Sequence, residues 1–573
     1  MLKEQQLDSV SRLGEHAFES SQAAGAFVAL LSLTQNHAGV DHEFAGIEAS
    51  EPQSPGEKAD VLRCGLVTAV KQASQLDNPD DRIGLENTER TTRLDASAIS
   101  LLGLGTCDAP LYVRCFWEHP SLLKNWDYMQ TASENADGLG GREAVVAWNA
   151  DAKRVFGMTD EERRQGHNQD YRGSAAWGKR GIAISLIRNL KVSPYTGELF
   201  DKSVAVIIPK HQADLPAIVS FCTSEEFTPL VRKLDQKVMV TNSTLVKVPF
   251  DLPRWQKVAA EKYPHGLPKP FSSDPAQWLF DGHPKGSDQP LHVAVARLLG
   301  YKWPRQTGSS FPDCPALGPD GLEKLSDANG IVCLSATKGE APAAERLRGV
   351  LIHALGKFDL SALVASAGPK GSKSETLEDW LRDEFFEQHC ALFYHRPFIW
   401  HIWDGHKSGF GELVNYHQLT HANLEKLTYA YLGDWLRRQQ PAVDAGEAGS
   451  DARLQAAKHL QARLKLILEG EPPYDIFVRW KPLSKQAIGW HPNINDGVRM
   501  NIRPFANADI LRKRVKIKWD KDRGNEPVRD KKDFPWFWGW DEEQQDFAGV
   551  GNEPDGNRWN DCHYTGEFKQ KGR

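Results

Sequence analysis

Arg114-Cys115-Phe116-Trp117-Glu118, Gly138-Leu139-Gly140-Gly141-Arg142, Gly178-Lys179-Arg180-Gly181, Ser193-Pro194-Tyr195-Thr196-Gly197 and Val240-Thr241-Asn242-Ser243-Thr244-Leu245-Val246-Lys247-Val248-Pro249 follow one another within residues 111–255. Apolar runs of strand length lie among them, at 111–115, 144–148, 182–187 and 204–208. The runs 215–222 and 227–234 have helical periodicity. Strands separated by glycine-centred turns, with helices after them, predict a mixed α/β body for this stretch.

Working outward, the 573-residue chain has length for three or four domains, each with its own core. A hydrophobic content of 40% and a charged content of 25% belong to ordinary globular protein. No run approaches the roughly 18 apolar residues that would cross a bilayer, so no membrane partner is expected. The first residues, Met-Leu-Lys-Glu-Gln-Gln, show no secretory signal. A cytoplasmic location is the expectation. The eight cysteines contain no Cys-x-x-Cys pair, which argues against a zinc site and a disulfide framework.

Net charge is −6, yet the charge is unevenly spread. Residues 171–260 hold 13 Lys and Arg against 7 Asp and Glu, and residues 501–532 hold 11 against 5. Two cationic windows in an acidic protein suit a surface that neutralises phosphates. Two solvated faces would give the same counts.

Residues 1–48 read as a helical stretch (Leu7, Val10, Leu13) followed by a strand at 26–33, apolar enough to be buried on both faces. Residues 49–95 read as a connector with a helix over 61–75. The segment 96–265 holds the motifs above. From 266 to 470 the texture is mainly helical, with Thr376 capping a helix whose first turn carries Glu378 and Asp379. Helices are expected at 424–438 and 452–468, with an exposed loop over 441–450. The tail, 471–573, alternates basic and apolar residues at 514–519, as a half-buried strand with a cationic face does. The aromatic block Phe534-Pro535-Trp536-Phe537-Trp538-Gly539-Trp540 reads as a core anchor or as a platform for stacking on bases.

Several patterns imitate catalytic motifs. Glu471-Pro472-Pro473-Tyr474 is one residue from an Asn/Asp-Pro-Pro-Tyr adenine site, but glutamate is a methylene too long for the placement that methyl transfer needs. Gly103-Leu104-Gly105 reads as a loop rather than a cofactor cradle. Pro554-Asp555 and Glu567-Phe568-Lys569 have the order of a metal-dependent nuclease core, with too little chain around them for its sheet. His389, His395 and His401 recur every six residues, which returns to no single helix face. No metal site is expected.

Taken in order, the five motifs of 111–255 resemble the target-recognition region of large bacterial adenine-N6 DNA methyltransferases, of the Type IIG restriction–modification and BREX- or DISARM-like defence class. Matching features continue through Asp379-Trp380-Leu381-Arg382, 396–405, Trp480-Lys481-Pro482-Leu483, Gly497-Val498-Arg499, Lys521-Asp522-Arg523-Gly524 and 556–561. The resemblance implies a methyltransferase remnant at 1–48, a connector at 49–95, a DNA target-recognition domain at 96–265, a mainly helical domain at 266–470 and a β-containing tail at 471–573. The sequence begins after the point where the resemblance would place the S-adenosylmethionine loop and the Asn-Pro-Pro-Tyr motif of the family. No catalytic residue is therefore assigned, and no cofactor is expected on this chain alone. S-adenosylmethionine and a catalytic half or subunit belong to the complete enzyme, with double-stranded DNA as partner. Lys179, Arg180, Arg188, Lys191, Arg232, Lys233, Lys237, Asn242 and Lys247 are the candidates for DNA contact. Two other readings stay open: a self-sufficient methyltransferase with degenerate motifs, and a non-catalytic scaffold of a defence complex.

Overall fold

The computed structural model describes residues 2–20, 23, 25–78, 82–86, 91–106, 109–120, 126–132, 140–148, 172–308, 311, 314–471, 487–517 and 570. Four strands come first: β1 (Gln6–Gly14), β2 (Val28–Thr34), β3 (Glu43–Glu48) and β4 (Val67–Lys71). They form one sheet in the order β2-β1-β3-β4. The expected helix through Leu7, Val10 and Leu13 is strand β1 instead. Its pairing with β2 slips between Leu7 and Ser9 and again between Arg12 and Gly14. Each slip breaks the alternation of faces, so buried Leu7, Val10 and Leu13 fall three apart and imitate a helical stripe. The run 26–33 does supply a strand, but not a buried one. β2 is an edge strand, and its Leu30 and Leu31 are 51% and 50% exposed. The 61–75 helix is also corrected: a helix spans Pro55–Cys64, and the chain then returns as β4 to complete the first sheet. That sheet thus runs past residue 48.

Residues 98–209 provide β5 (Ala98–Leu102), β6 (Val113–Cys115), β7 (Asp127–Gln130), β8 (Ala144–Val146), β9 (Gly181–Ser185), β10 (Val192–Tyr195), β11 (Leu199–Phe200) and β12 (Val204–Pro209). They sort into two sheets, β10-β9-β12-β5 and β11-β7-β8-β6. The first has both faces covered. Ala205 and Ile207 of β12 join Ile182 and Ile184 of β9 in a core under the helices Leu215–Cys222, Phe227–Leu234 and Leu252–Lys262. Val204, Val206 and Ile208 point to the opposite face, against Tyr195 and Phe200. A period of two with both faces apolar is what a doubly covered strand requires.

The second sheet belongs to a different core. Trp117, Trp126, Tyr128 and Val145 pack in one cluster with Trp278, Trp303, Trp380, Trp400 and Trp490. The segment 96–265 therefore divides among three core clusters. Most of the largest comes from the helices Pro290–Leu298, Ala343–Leu355, Leu377–Asp383, Phe385–Leu392, Leu432–Asp444 and Ser450–Glu469. A small antiparallel sheet completes it: β13 (Ile331–Cys333), β14 (Ile399–Trp403) and β15 (Gly411–Asn415), ordered β13-β15-β14. The chain is a mixed α/β, multidomain protein.

Thr376 caps as its sequence predicts, its hydroxyl accepting from the Asp379 amide at 3.1 Å. The expected loop at 441–450 begins later, because the helix Leu432–Asp444 carries Pro441 inside it. Residues 514–517 alternate in exposure, Val515 buried and Arg514 and Lys516 exposed, but pair with no strand. Lys518, Trp519, the aromatic block, the nuclease-like pair and Pro472-Pro473-Tyr474 lie outside the described residues. Among those described, no helix is long and apolar enough to cross a membrane.

Candidate nucleic-acid interface

The motifs that carry the resemblance are mostly buried and bonded to one another. In the first, Glu118 accepts from the amide of Cys115 at 2.9 Å and from the amide of Val498 at 2.8 Å, 380 residues away. Arg396 lies 3.6 Å from the same carboxylate. The Trp117 indole donates to the Arg396 carbonyl at 3.0 Å, and Arg114 donates to the carbonyl of Asn495 at 3.2 Å. These bonds tie Arg114–Glu118 to the motifs at 396 and 497–499. Burial pushes the Cys115 thiol up to about 12, so it is an inert packing group.

The second and fourth motifs meet in the same way. Arg142 donates to the Pro194 carbonyl, stands 3.8 Å from Glu198, and is as fully buried as that carboxylate. Burial pushes the guanidinium's pKa down, and Glu198 pushes it back up. Glu198 in turn holds the turn before it, accepting from the Thr196 amide at 3.0 Å and hydroxyl at 2.7 Å. The third motif leans on the fourth through glycines. The Gly178 amide donates to the Gly197 carbonyl at 2.8 Å, and a Cβ on Gly197, at φ +110°, would sit 2.8 Å from the Gly178 Cα. Only glycine allows that approach.

The nine candidate DNA contacts fall into separate places. Lys179 and Arg180 are exposed just before β9. Arg188 is exposed and Lys191 half-buried beyond the other end of that strand, about 16 Å away at strand rise. There the loop after β9 meets the loop after the helix Phe227–Leu234. The Val240 amide donates to the Leu186 carbonyl at 2.9 Å, and Ile187 forms an isolated antiparallel bridge with Met239, joining the two loops in a ribbon one pair long.

Three devices fix the ribbon. Arg232 donates to the carbonyls of both Arg188 and Lys237, one from each loop. Asp235 accepts from the amides of Lys237 at 3.2 Å and Thr241 at 2.9 Å. Burial pushes that carboxyl up, but the amides of Thr241 and Lys237 outweigh burial and hold it below the ordinary carboxylate range. Leu190 is buried at φ +47°, and Arg188 itself stands at φ +59°. Non-glycine residues at such angles persist only where surrounding contacts hold them.

Three of the candidates make contacts that shape this region. Arg232 shapes the ribbon, Lys233 pairs with Glu86, and the Asn242 amide donates to the Ser100 carbonyl at 3.3 Å. Lys247 is half-buried near the bridge between Arg93 and Pro249, away from the ribbon tip in sequence and pairing. Lys237, Arg188 and Lys191 lie on the loops of the ribbon. Lys202 joins that end, since the Leu186 amide donates to the Ser203 carbonyl at 3.0 Å. Sequence reasoning missed the apolar part of this surface. Ile187 is 38%, Val238 70% and Met239 43% exposed, next to the cations in the chain. The signal was Lys237-Val238-Met239-Val240, an apolar run inside a charged turn.

At the opposite end of β9, Arg180 stands on a groove of about 250 Å³ whose walls include Val192, Pro194, Leu215, Tyr263 and Pro268. Among the described residues no three metal-ligating side chains come together. His389 and His401 are buried in the large core, and His395 is in the left-handed region at φ +56°. The His389 Nε2 accepts from the Ile399 amide at 3.2 Å, a packing role.

No protein-family model matches the chain. No curated protein matches it either. Among solved structures it is similar to the Type IIL restriction-modification enzyme MmeI in complex with DNA, at 12% sequence identity and a TM-score of 0.26. The match covers 68% of this chain and 46% of that one, so the chain spans less than half the length of that structure.

Proposed function

We propose that this chain is the sequence-specific DNA-recognition part of an adenine-N6 DNA methyltransferase, within a restriction–modification or phage-defence system. A catalytic half supplied from elsewhere would bind S-adenosylmethionine and methylate the adenine, flipped from the duplex because its amino group is occupied there. The supporting observation is the fixed ribbon end of the β10-β9-β12-β5 sheet. It presents Arg188, Lys191, Lys202 and Lys237 together, while the one carboxylate inside the ribbon, Asp235, is buried and spent on backbone amides. Long cations on a rigid projection suit phosphates flanking a groove. Lys179 and Arg180 form a second, separate anchor.

Binding of a fluorescent duplex to the purified chain, followed over a range of salt concentration, tests this reading. Four phosphate contacts predict a slope of log K against log salt of about −3.6. Calorimetry with S-adenosylmethionine should give no heat from the chain alone. A duplex affinity that does not change with salt, or tight cofactor binding, would contradict the proposal.

A further inference from the structure

We infer that the ribbon's apolar tip, Ile187, Val238 and Met239, reads the methyl groups of thymine in the major groove. The inference rests on the DNA-recognition reading above and names what that surface reads. A cationic end alone accounts for affinity and carries no sequence information. The tip carries something else. Three aliphatic side chains, among them the most exposed large apolar residue of the sheet-and-helix unit, adjoin Arg188 and Lys237 in the chain.

Exposed aliphatic side chains are usually the loose end of a flexible loop. These are not. The bridge between Ile187 and Met239, the two carbonyls held by Arg232 and the amides held by Asp235 fix the loop that presents them. Leu186, Leu190 and Val240 on either side are buried and anchor it below. The tip is held outward by its own framework.

Shape and chemistry select the partner. A B-DNA major groove, about 12 Å wide, admits a two-stranded ribbon. Cations on both sides of the ribbon then meet the phosphates that border the groove. Its floor offers donors and acceptors at every base pair, but one apolar group, the C5-methyl of thymine. An uncharged, donor-free tip finds no hydrogen bond there and gains only by covering that methyl. Cytosine at the same place offers an amino group and no methyl, so the tip discriminates between them.

The test uses the full chain and two random-sequence duplex libraries, one made with thymine and one with deoxyuridine in its place, which removes every C5-methyl and keeps base pairing. The chain should retain the thymine library about fourfold better for each methyl buried. Val238→Ser and Met239→Ser should abolish that preference and leave the salt slope unchanged. Val238 is so exposed that its replacement should leave folding intact, and thermal denaturation checks both variants. Equal retention of the two libraries with a normal salt slope would overturn the inference and leave DNA recognition standing. A thymine preference that survives both substitutions would also overturn it. No salt-dependent binding of either library would remove the DNA-recognition reading, and the inference with it.

Discussion

Arginine has opposite uses in two neighbouring regions. Arg114 and Arg142, within the motifs, are buried and spend their donors on carbonyls of Pro110, Val113, Asn495 and Pro194. At the ribbon end, Arg188 stands exposed, and Arg232 holds the loop that presents it. Most of the motif residues thus build the frame, and residues outside the five motifs, 187–188 and 237–239, form the exposed tip. The difference teaches that a motif marks where chemistry is least replaceable, and a buried charge network is less replaceable than a cation facing solvent.

The comparison breaks most sharply with pH. His119, His292, His389 and His401 are buried, and His417 is half-buried, its Nε2 bonded to the Trp117 carbonyl at 2.8 Å. Burial lowers His119, His401 and His417 to about 3, His292 to about 4, and His389 well below its ordinary value. The unfolded chain binds protons at these sites below pH about 6.5 and the folded chain does not. Stability is therefore full above that pH and falls as pH falls toward the folded values. At pH 5 each of the buried sites His119, His292 and His401 costs about 2 kcal/mol, and together they are comparable with the whole stability of a marginal domain. Urea denaturation at pH 8 and pH 5 should show the large core lost at the lower pH. The ribbon's own core contributes no buried histidine among the described residues, so amides of β9 and β12 should outlast those of β14 in hydrogen exchange. Equal stability at the two pH values would contradict this.

Next in size are the motif charges. Glu118→Ala leaves two amides without their acceptor and removes the carboxylate beside Arg396, and Arg142→Ala removes the buried cation beside Glu198. Each should destabilise by about 3–5 kcal/mol, the usual result of breaking a buried pair. A loss of stability below about 1 kcal/mol in either variant would contradict the buried network. Arg232→Ala comes third. Losing bonds to two carbonyls should cost about 1–2 kcal/mol and raise exchange of the amides at 186–191 and 236–240 while the large core is untouched. Uniform exchange changes across the chain would show that Arg232 supports more than the ribbon. Smallest in stability is the pair Arg188→Ala and Lys237→Ala, expected within about 0.5 kcal/mol of wild type.

Legibility followed the same division. Strands at 182–187 and 204–208 and helices at 215–222 and 227–234 were readable because each is an apolar run with one clear period. β1 was not, because two slips in its pairing converted a period of two into spacings of three. β2 was found but misjudged. Its apolar composition says strand, whereas its exposure comes from standing at the sheet edge, which depends on chain neighbours far from it. Of the candidate site, Arg188, Lys191 and Lys237 were identifiable as cations in a basic window. Their grouping was not, since it depends on a bridge between residues 187 and 239 that no local pattern encodes. Nor was the role of Arg232, whose use on two carbonyls follows from where the loops meet.

The most direct measurement is the salt dependence of duplex binding by wild-type chain and by the Arg188→Ala, Lys237→Ala double variant, with denaturation midpoints taken in parallel. The variant's slope should be flatter by about two units, at unchanged stability. Superimposable slopes for the two proteins would contradict the account and move the DNA contact away from the ribbon.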